Sequence, residues 1–198
     1  MMNSTTINNY PIPFLVGKDI YLRSLVASDA EGLYPAWFND KETCRGNSHH
    51  VFPYTRDAAI SYINHANQTP ENLILAIISR KDDQHIGNIA LQNIHPVYRS
   101  AEFSIIIGGK QHWGKGIGKE AGRLICDHGF QALNLNRIGC GTFENNVAMQ
   151  RLALYLGMVM EGVRRQAAFK EGKYIDVIEY GVLRDEYEEH WARLERTN

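Results

Sequence analysis

The stretch GGKQHWGKGIGKEAG, residues 108–122, interleaves glycines with three lysines and runs straight into an apolar-periodic segment. Within GIGKEAGRLICDHGFQAL (116–133), Ile117, Ala121, Leu124 and Ile125 form one stripe, while Lys119, Arg123 and Asp127 form the opposite one. That spacing predicts a helix with one buried and one wet face. A helix N-terminus offers unpaired N–H groups and a partial positive charge, and glycine lets an anion approach that backbone closely. Lys110, Lys115, Lys119 and Arg123 stand there against Glu120 alone. The expectation is an anion site of the phosphate type at the mouth of the helix.

Three ligand classes use such a mouth. A nucleotide P-loop needs Ser or Thr after its lysine to hold magnesium, and here Lys119 is followed by Glu120. GIGKEA satisfies the dinucleotide pattern G-x-G-x-x-A, yet it comes late in the chain, and no acid closes the next strand, RIGCG (137–141). The third class is coenzyme A, whose pyrophosphate needs several amides and no metal. A turn without a ligand would account for one or two glycines, not for Gly114, Gly116 and Gly118 at alternate positions.

Working outward, DIYLRSL (19–25) alternates as a strand, and VASDAEGLYPAWFND (26–40) reads as a helix capped by Ser28, with Ala30, Leu33 and Trp37 at helical spacing. YTRDAAISYINHANQ (54–68) reads as a second helix capped by Thr55, with Ala59, Tyr62 and Ile63 on one stripe. NLILAIISR (72–80) is almost continuously apolar, which predicts a strand covered on both faces. HIGNIALQNI (85–94) and SAEFSIIIG (100–108) follow as strands. Beyond the loop helix come a strand NRIGCGTF (136–143), a helix NVAMQRLALYLG (146–157) ended by Gly157, and a long hairpin over 158–183 that turns at Glu171-Gly172. The order β-α-α-β-β-β-α-β-α-β-β is an α+β plan.

At 198 residues, with 44% hydrophobic and 22% charged residues, the chain has the length and composition of one globular domain. A net charge of -1 gives no electrostatic case for direct nucleic-acid binding or an anionic membrane. Cys44, Cys126 and Cys140 form no CxxC pair and read as reduced thiols, and no HExxH or Cys/His grouping suggests a metal. The opening residues show no signal peptide, and no apolar run reaches membrane-spanning length. A cytoplasmic protein is expected, with residues 1–18 as an N-terminal arm, 19–187 as the domain and 188–198 as a C-terminal tail; a homo-oligomer stays open.

QHWGKGIGKEAG (111–122), entered from a strand ending SIIIG (104–108), resembles the acetyl-CoA loop of the GNAT N-acetyltransferase superfamily. FENNVAMQRLALYLGMVMEGVRR (143–165) is similar to that family's next helix and strand. KEGKYIDVIEYGVLRDEY (170–187) is similar to the closing hairpin of its ribosomal-protein and spermidine acetyltransferase branches, and LRSLVASDAEGLYPAWFND (22–40) to its opening strand and helix. The resemblance implies a mixed, strongly twisted sheet of about seven strands with helices on both faces. It implies acetyl-CoA as cosubstrate with no metal, and a primary amine as acceptor: a polyamine, a protein N-terminus or an amino sugar. The family loop is written Q/R-x-x-G-x-G/A. With Gly116 and Gly118 as the glycine pair, Trp113 takes the Q/R position; Gln111, Gly114 and Gly116 fit two residues earlier. The first register is favoured, since Gly118 then opens the helix.

By this resemblance the donor is held by His112, Trp113, Gly114, Lys115, Gly116, Ile117, Gly118 and Lys119, by the strand residues Ser104, Ile105, Ile106 and Ile107, and by Asn146. Asn146 is also a natural N-cap. Many members place a proton-donating tyrosine seven residues after the asparagine; here that position is Ala153. Tyr155 lies about 200° around the helix from it, on the core side, so the proton donor is undetermined. Glu102, on the strand feeding the loop, is the best-placed carboxylate to take the acceptor's proton. Residues 37–56 are expected to roof the acceptor pocket. The alternative reading is a CoA-binding regulatory domain without catalysis.

Overall fold

The computed structural model describes residues 12–66 and 68–197. Among these residues eight strands form one sheet: β1 (Leu15–Val16), β2 (Ile20–Ser24), β3 (Leu73–Ser79), β4 (His85–His95), β5 (Ser100–Ile107), β6 (Arg137–Phe143), β7 (Val159–Lys170) and β8 (Lys173–Leu183). Their order is β1-β2-β3-β4-β5-β6-β8-β7. Every pairing is antiparallel except β5 with β6. The strand beyond the expected count is β1, drawn from the stretch assigned to an arm, where the Phe14 N–H donates to the Leu22 carbonyl. The remainder of that arm, residues 1–11, lies outside the described residues.

Helices cover both faces, as the plan required: α1 (Tyr34–Phe38), α2 (Arg56–Ala66), α3 (Ile117–Gln131), α4 (Val147–Tyr155) and α5 (Arg184–Thr197). β3 shows why its run is continuously apolar. Leu75 and Ile77 join the cluster under α3, α4 and α5, while Ile74, Ala76 and Ile78 join the one under α1 and α2. Each fully buried side chain of this size is worth about 1.5–3 kcal/mol before entropy.

Two expectations are corrected. The helix expected over 26–40 is a 3-10 turn, Ala27–Glu31, followed by the five-residue α1. Gly32 takes an extended conformation between them, and Pro35 sits at the start of α1. Ser28 does not cap; the Asp29 carboxylate accepts from the Val26 N–H at 2.9 Å and grips Arg23 with two bonds of 2.7 and 2.8 Å. Burial alone would raise the Asp29 carboxyl, but Arg23 and His85 hold it far below the usual carboxylate range. Leu33, expected on the buried stripe, is exposed. Residues 188–197, expected as a tail, continue α5, whose Tyr187 and Trp191 are buried. Tyr187 donates to Asp127 on α3 at 2.7 Å, and the Arg123 guanidinium stacks 4.0 Å above Trp191.

What positions the site is the departure of β5 from β6. They pair at Ser100–Arg137, Ala101–Ile138 and Glu102–Gly139, and there the ladder ends. β5 runs on to Ile107 along β4, and β6 runs on to Phe143 along β8. The register between β4 and β5 shifts between Gln92 and His95, where Asn93 has φ 52°. An extra residue bends and twists its strand locally. This bulge stands beside Glu102, where the gap opens.

Candidate active site

β5 ends against β4: the N–H groups of Gly108 and Gly109 both donate to the Ile86 carbonyl. The Trp37 ring lies on Gly108 so closely that a Cβ there would fall 1.9 Å from its Cδ2, which makes glycine obligatory. A 3-10 turn at Lys110–His112 follows, closed by the Trp113 indole donating to the Ile107 carbonyl at 2.7 Å. His112 packs within this turn, its N–H on the Gly109 carbonyl.

Gly114 and Gly116 have φ of 71° and 83°, in the left-handed region that side chains rarely adopt, and Gly116 is the N-cap of α3. The first bonds of α3 run from the Lys119 and Glu120 amides to the Gly116 carbonyl. Among the described residues, the backbone amides of Gly114, Lys115, Gly116, Ile117 and Gly118 have no protein acceptor. A Cβ on Gly114 or Gly116 would meet nothing within 4 Å, so this side of the loop is open to a ligand. Gly118 sits in the first helical turn, where a Cβ would be 3.7 Å from Leu152 Cδ2 and 3.9 Å from Ile105 Cδ1. The left-handed positions are therefore Gly114 and Gly116, while the open amides run through Gly118 and span both registers of the pattern.

Glu120 faces away from this cradle: its carboxylate accepts from the Asp19 N–H at 2.9 Å. Lys115 and Lys119 are exposed, and the Lys119 ammonium lies 4.4 Å over the Tyr155 ring. The assembly can bind a polyphosphate through backbone donors and the helix dipole, with lysines as counter-charge.

The gap between β5 and β6 leads from the cradle toward Glu102. Ile105 and Ile107 pack toward α3, Ile106 toward α1, and the Ser104 hydroxyl donates to Gln92 at 2.9 Å. Glu102 is exposed and, among the described residues, its carboxylate has no hydrogen-bond or ion-pair partner. Asn146 caps α4 by accepting from the Met149 N–H at 3.1 Å, and its Nδ2 donates to the Gly46 carbonyl at 2.8 Å. The cap was expected; the tie to Gly46, 100 residues away in sequence, was not.

That tie belongs to a set that fastens residues 39–54 to the glycine loop, to the cap of α4 and to the β7–β8 turn. Lys110 binds Asp40 at 2.9 Å and Glu42 at 2.6 Å, Lys41 meets Glu171 at 3.1 Å, and Lys170 donates to the His49 carbonyl at 2.6 Å. The Thr43 hydroxyl and then Lys110 hold the Asp40 carboxyl down at about 2. Burial pushes the His49 imidazole below its ordinary value. Within this segment a cavity of about 200 Å³ is lined by Phe38 and by residues 48–54, among them the polar Ser48, His49 and His50.

A family model for the acetyltransferase (GNAT) domain matches residues 19–159. The chain belongs to the GNAT acetyltransferases. It is 31% identical over 178 residues to the Uncharacterized N-acetyltransferase p20 of Bacillus licheniformis, covering 87% of this chain and 97% of that protein. Over 106 residues it is 31% identical to the spermidine N(1)-acetyltransferase of Escherichia coli, 54% of this chain and 56% of that one. A crystal structure of spermidine N-acetyltransferase from Vibrio cholerae in complex with CoA and spermine superposes with a TM-score of 0.78 at 25% identity, covering 86% of this chain and 98% of that one. No helix among the described residues is long and apolar enough to cross a membrane, and none of their His, Cys, Asp and Glu side chains cluster as a metal site.

In this GNAT chain Ala153 is fully buried, and Tyr155 packs edge-on against Trp191 at 5.4 Å with its carbonyl taken by His190. Tyr155 thus joins α4 to α5. Tyr155→Phe, which keeps the ring, should retain most of the turnover. Steady-state kinetics showing a hundredfold fall without loss of stability would put its hydroxyl in the reaction instead.

Proposed function

We propose that this chain moves an acetyl group from acetyl-CoA to a primary amine by direct attack, and that Gly114–Gly118 hold the donor's pyrophosphate. The run of five open amides at the start of α3 carries this reading. Lys115 and Lys119 supply positive charge beside it, with Trp113 and His112 shaping the turn. Ser104–Ile107 offer backbone donors along the open edge of β5, and Asn146 contributes its second amide hydrogen while holding Gly46. Acetyl-CoA brings an acyl group already activated as a thioester: the neutral amine attacks its carbonyl carbon, the C–S bond breaks, and CoA leaves as a thiolate that takes up the nitrogen's second proton, so the chain has to deliver the amine in its neutral form. A lysine-like amine has a pKa near 10.4, and roughly one molecule in a few thousand is neutral at pH 7. Glu102, free and beside the gap, is assigned to bind the ammonium and take its proton.

The cysteines support direct transfer over an acyl-enzyme. All three are buried, and burial raises each thiol, Cys140 to about 12, so none is a ready thiolate.

For the acceptor, the charges over the site favour a single amine beside an apolar group, such as a peptide amino terminus, over a polycation. Asp40 and Glu42 are already engaged by Lys110 and Glu171 by Lys41, and Arg45 lines the same pocket. The neighbouring cavity is largely aromatic and apolar. Thiol release measured with N-terminal peptides, spermidine and amino sugars should be fastest with a peptide. Spermidine outpacing every peptide would reverse the assignment, and release with none, despite tight CoA binding, would favour the regulatory reading.

A further inference from the structure

Two buried polar side-chain atoms among the described residues have no hydrogen-bond partner: Thr142 Oγ1 and Trp191 Nε1. Trp191 lies on α5 beneath the Arg123 guanidinium, away from the gap. Thr142 lies on it. It follows the last β5–β6 pair, Glu102–Gly139, by three residues on β6, in the stretch that pairs only with β8. By alternation it shares a face with Ile138 and Cys140, which pack into the cluster under α3 and α4. Across the gap on that face stands Ile105, which with Leu152 flanks Gly118 in the first turn of α3, their methyl carbons 3.9 and 3.7 Å from where a Cβ on Gly118 would stand. The wall is apolar, and one hydroxyl, 4% exposed, interrupts it.

A strand favours β-branched residues, and valine would fill this place with the same shape and no polar atom to bury. A buried hydroxyl left without a partner is costly, so an orphan in a native wall calls for a partner that arrives later. The pyrophosphate belongs to the amide cradle, and the acceptor's ammonium to a carboxylate. What remains in the gap between them is the pantetheine arm, whose neutral amides each carry a donor and an acceptor. A hydroxyl can serve either.

We infer that Thr142 is a donor-binding residue whose hydroxyl hydrogen-bonds an amide of the pantetheine arm inside the β5–β6 gap. This rests on the acetyl-CoA reading above and adds the residue that holds the arm between cradle and thioester. It also makes the gap selective for an amide-bearing arm over a plain alkyl chain.

Calorimetry with two probes tests it: CoA, and ADP, which keeps a pyrophosphate and lacks the arm. Thr142→Val should lose about tenfold in CoA affinity, the scale of one hydrogen bond. Its ADP affinity should be unchanged, and its melting temperature should not fall. Thr142→Ser should bind CoA within about twofold of the parent, and Thr142→Ala should repeat the loss seen with valine. Undiminished CoA affinity in the valine and alanine variants, or an equal loss for ADP, would overturn the assignment. A parent chain that binds neither probe would overturn the acetyl-CoA reading with it.

Discussion

Gly118→Glu is expected to lower CoA affinity by at least a hundredfold while the chain stays folded. Gly118 has a helical backbone, and a Cβ there makes contacts of 3.7 and 3.9 Å with Leu152 and Ile105, so the first atom added costs little. A carboxylate in the first turn also suits the helix dipole, which protects the fold. For a bound pyrophosphate the same charge is repulsive: at about 5 Å and an effective dielectric near 20, the energy is about 3 kcal/mol, or two to three orders of magnitude. Gly116→Glu should act likewise but adds strain, since φ there is 83°. Gly118→Ala is the control and should bind nearly as the parent does. A folded glutamate variant with parental affinity would move the donor elsewhere.

The second large effect is at Glu102. Glu102→Gln keeps the shape and removes charge and basicity. Turnover should drop by roughly 10²–10³, the range for loss of a general base, with CoA affinity nearly unchanged. The sign with pH follows from the acceptor. As pH rises toward the amine's pKa, more acceptor is neutral without help, so the deficit of the variant should narrow. A variant with parental turnover at neutral pH would return Glu102 to the ordinary surface and send the search to residues 37–56. A deficit that widens with pH would contradict a base at this position.

The parts legible in the sequence are those whose cause is local. The cradle announced itself because alternating glycines and a helical stripe occupy one short segment. The β7–β8 hairpin did so because Glu171-Gly172 fits a turn with two left-handed residues, and their φ values are 50° and 79°. α4 was bounded by an asparagine cap and by Gly157, at φ 79°. What escaped depends on partners far along the chain. Arg23 reaches across from β2 to Asp29 and so decides the local structure after it. α5 is charged at most positions, and its buried Tyr187 and Trp191 make sense only once α3 is in place. Lys110, Asn146 and Lys170 converge on residues 40–49 through isolated side-chain contacts, which leave no periodic trace in sequence.

The central claim, that the opening of α3 holds the donor, is tested most directly by amide resonances. In a nitrogen-labelled sample titrated with CoA, the backbone signals of Gly114, Gly116 and Gly118 should shift strongly and saturate together with those of Lys115 and Ile117. Signals from α5, which packs on the far side of Tyr155, should move little. Saturable binding that leaves the five cradle amides in place while other glycines shift would contradict the account.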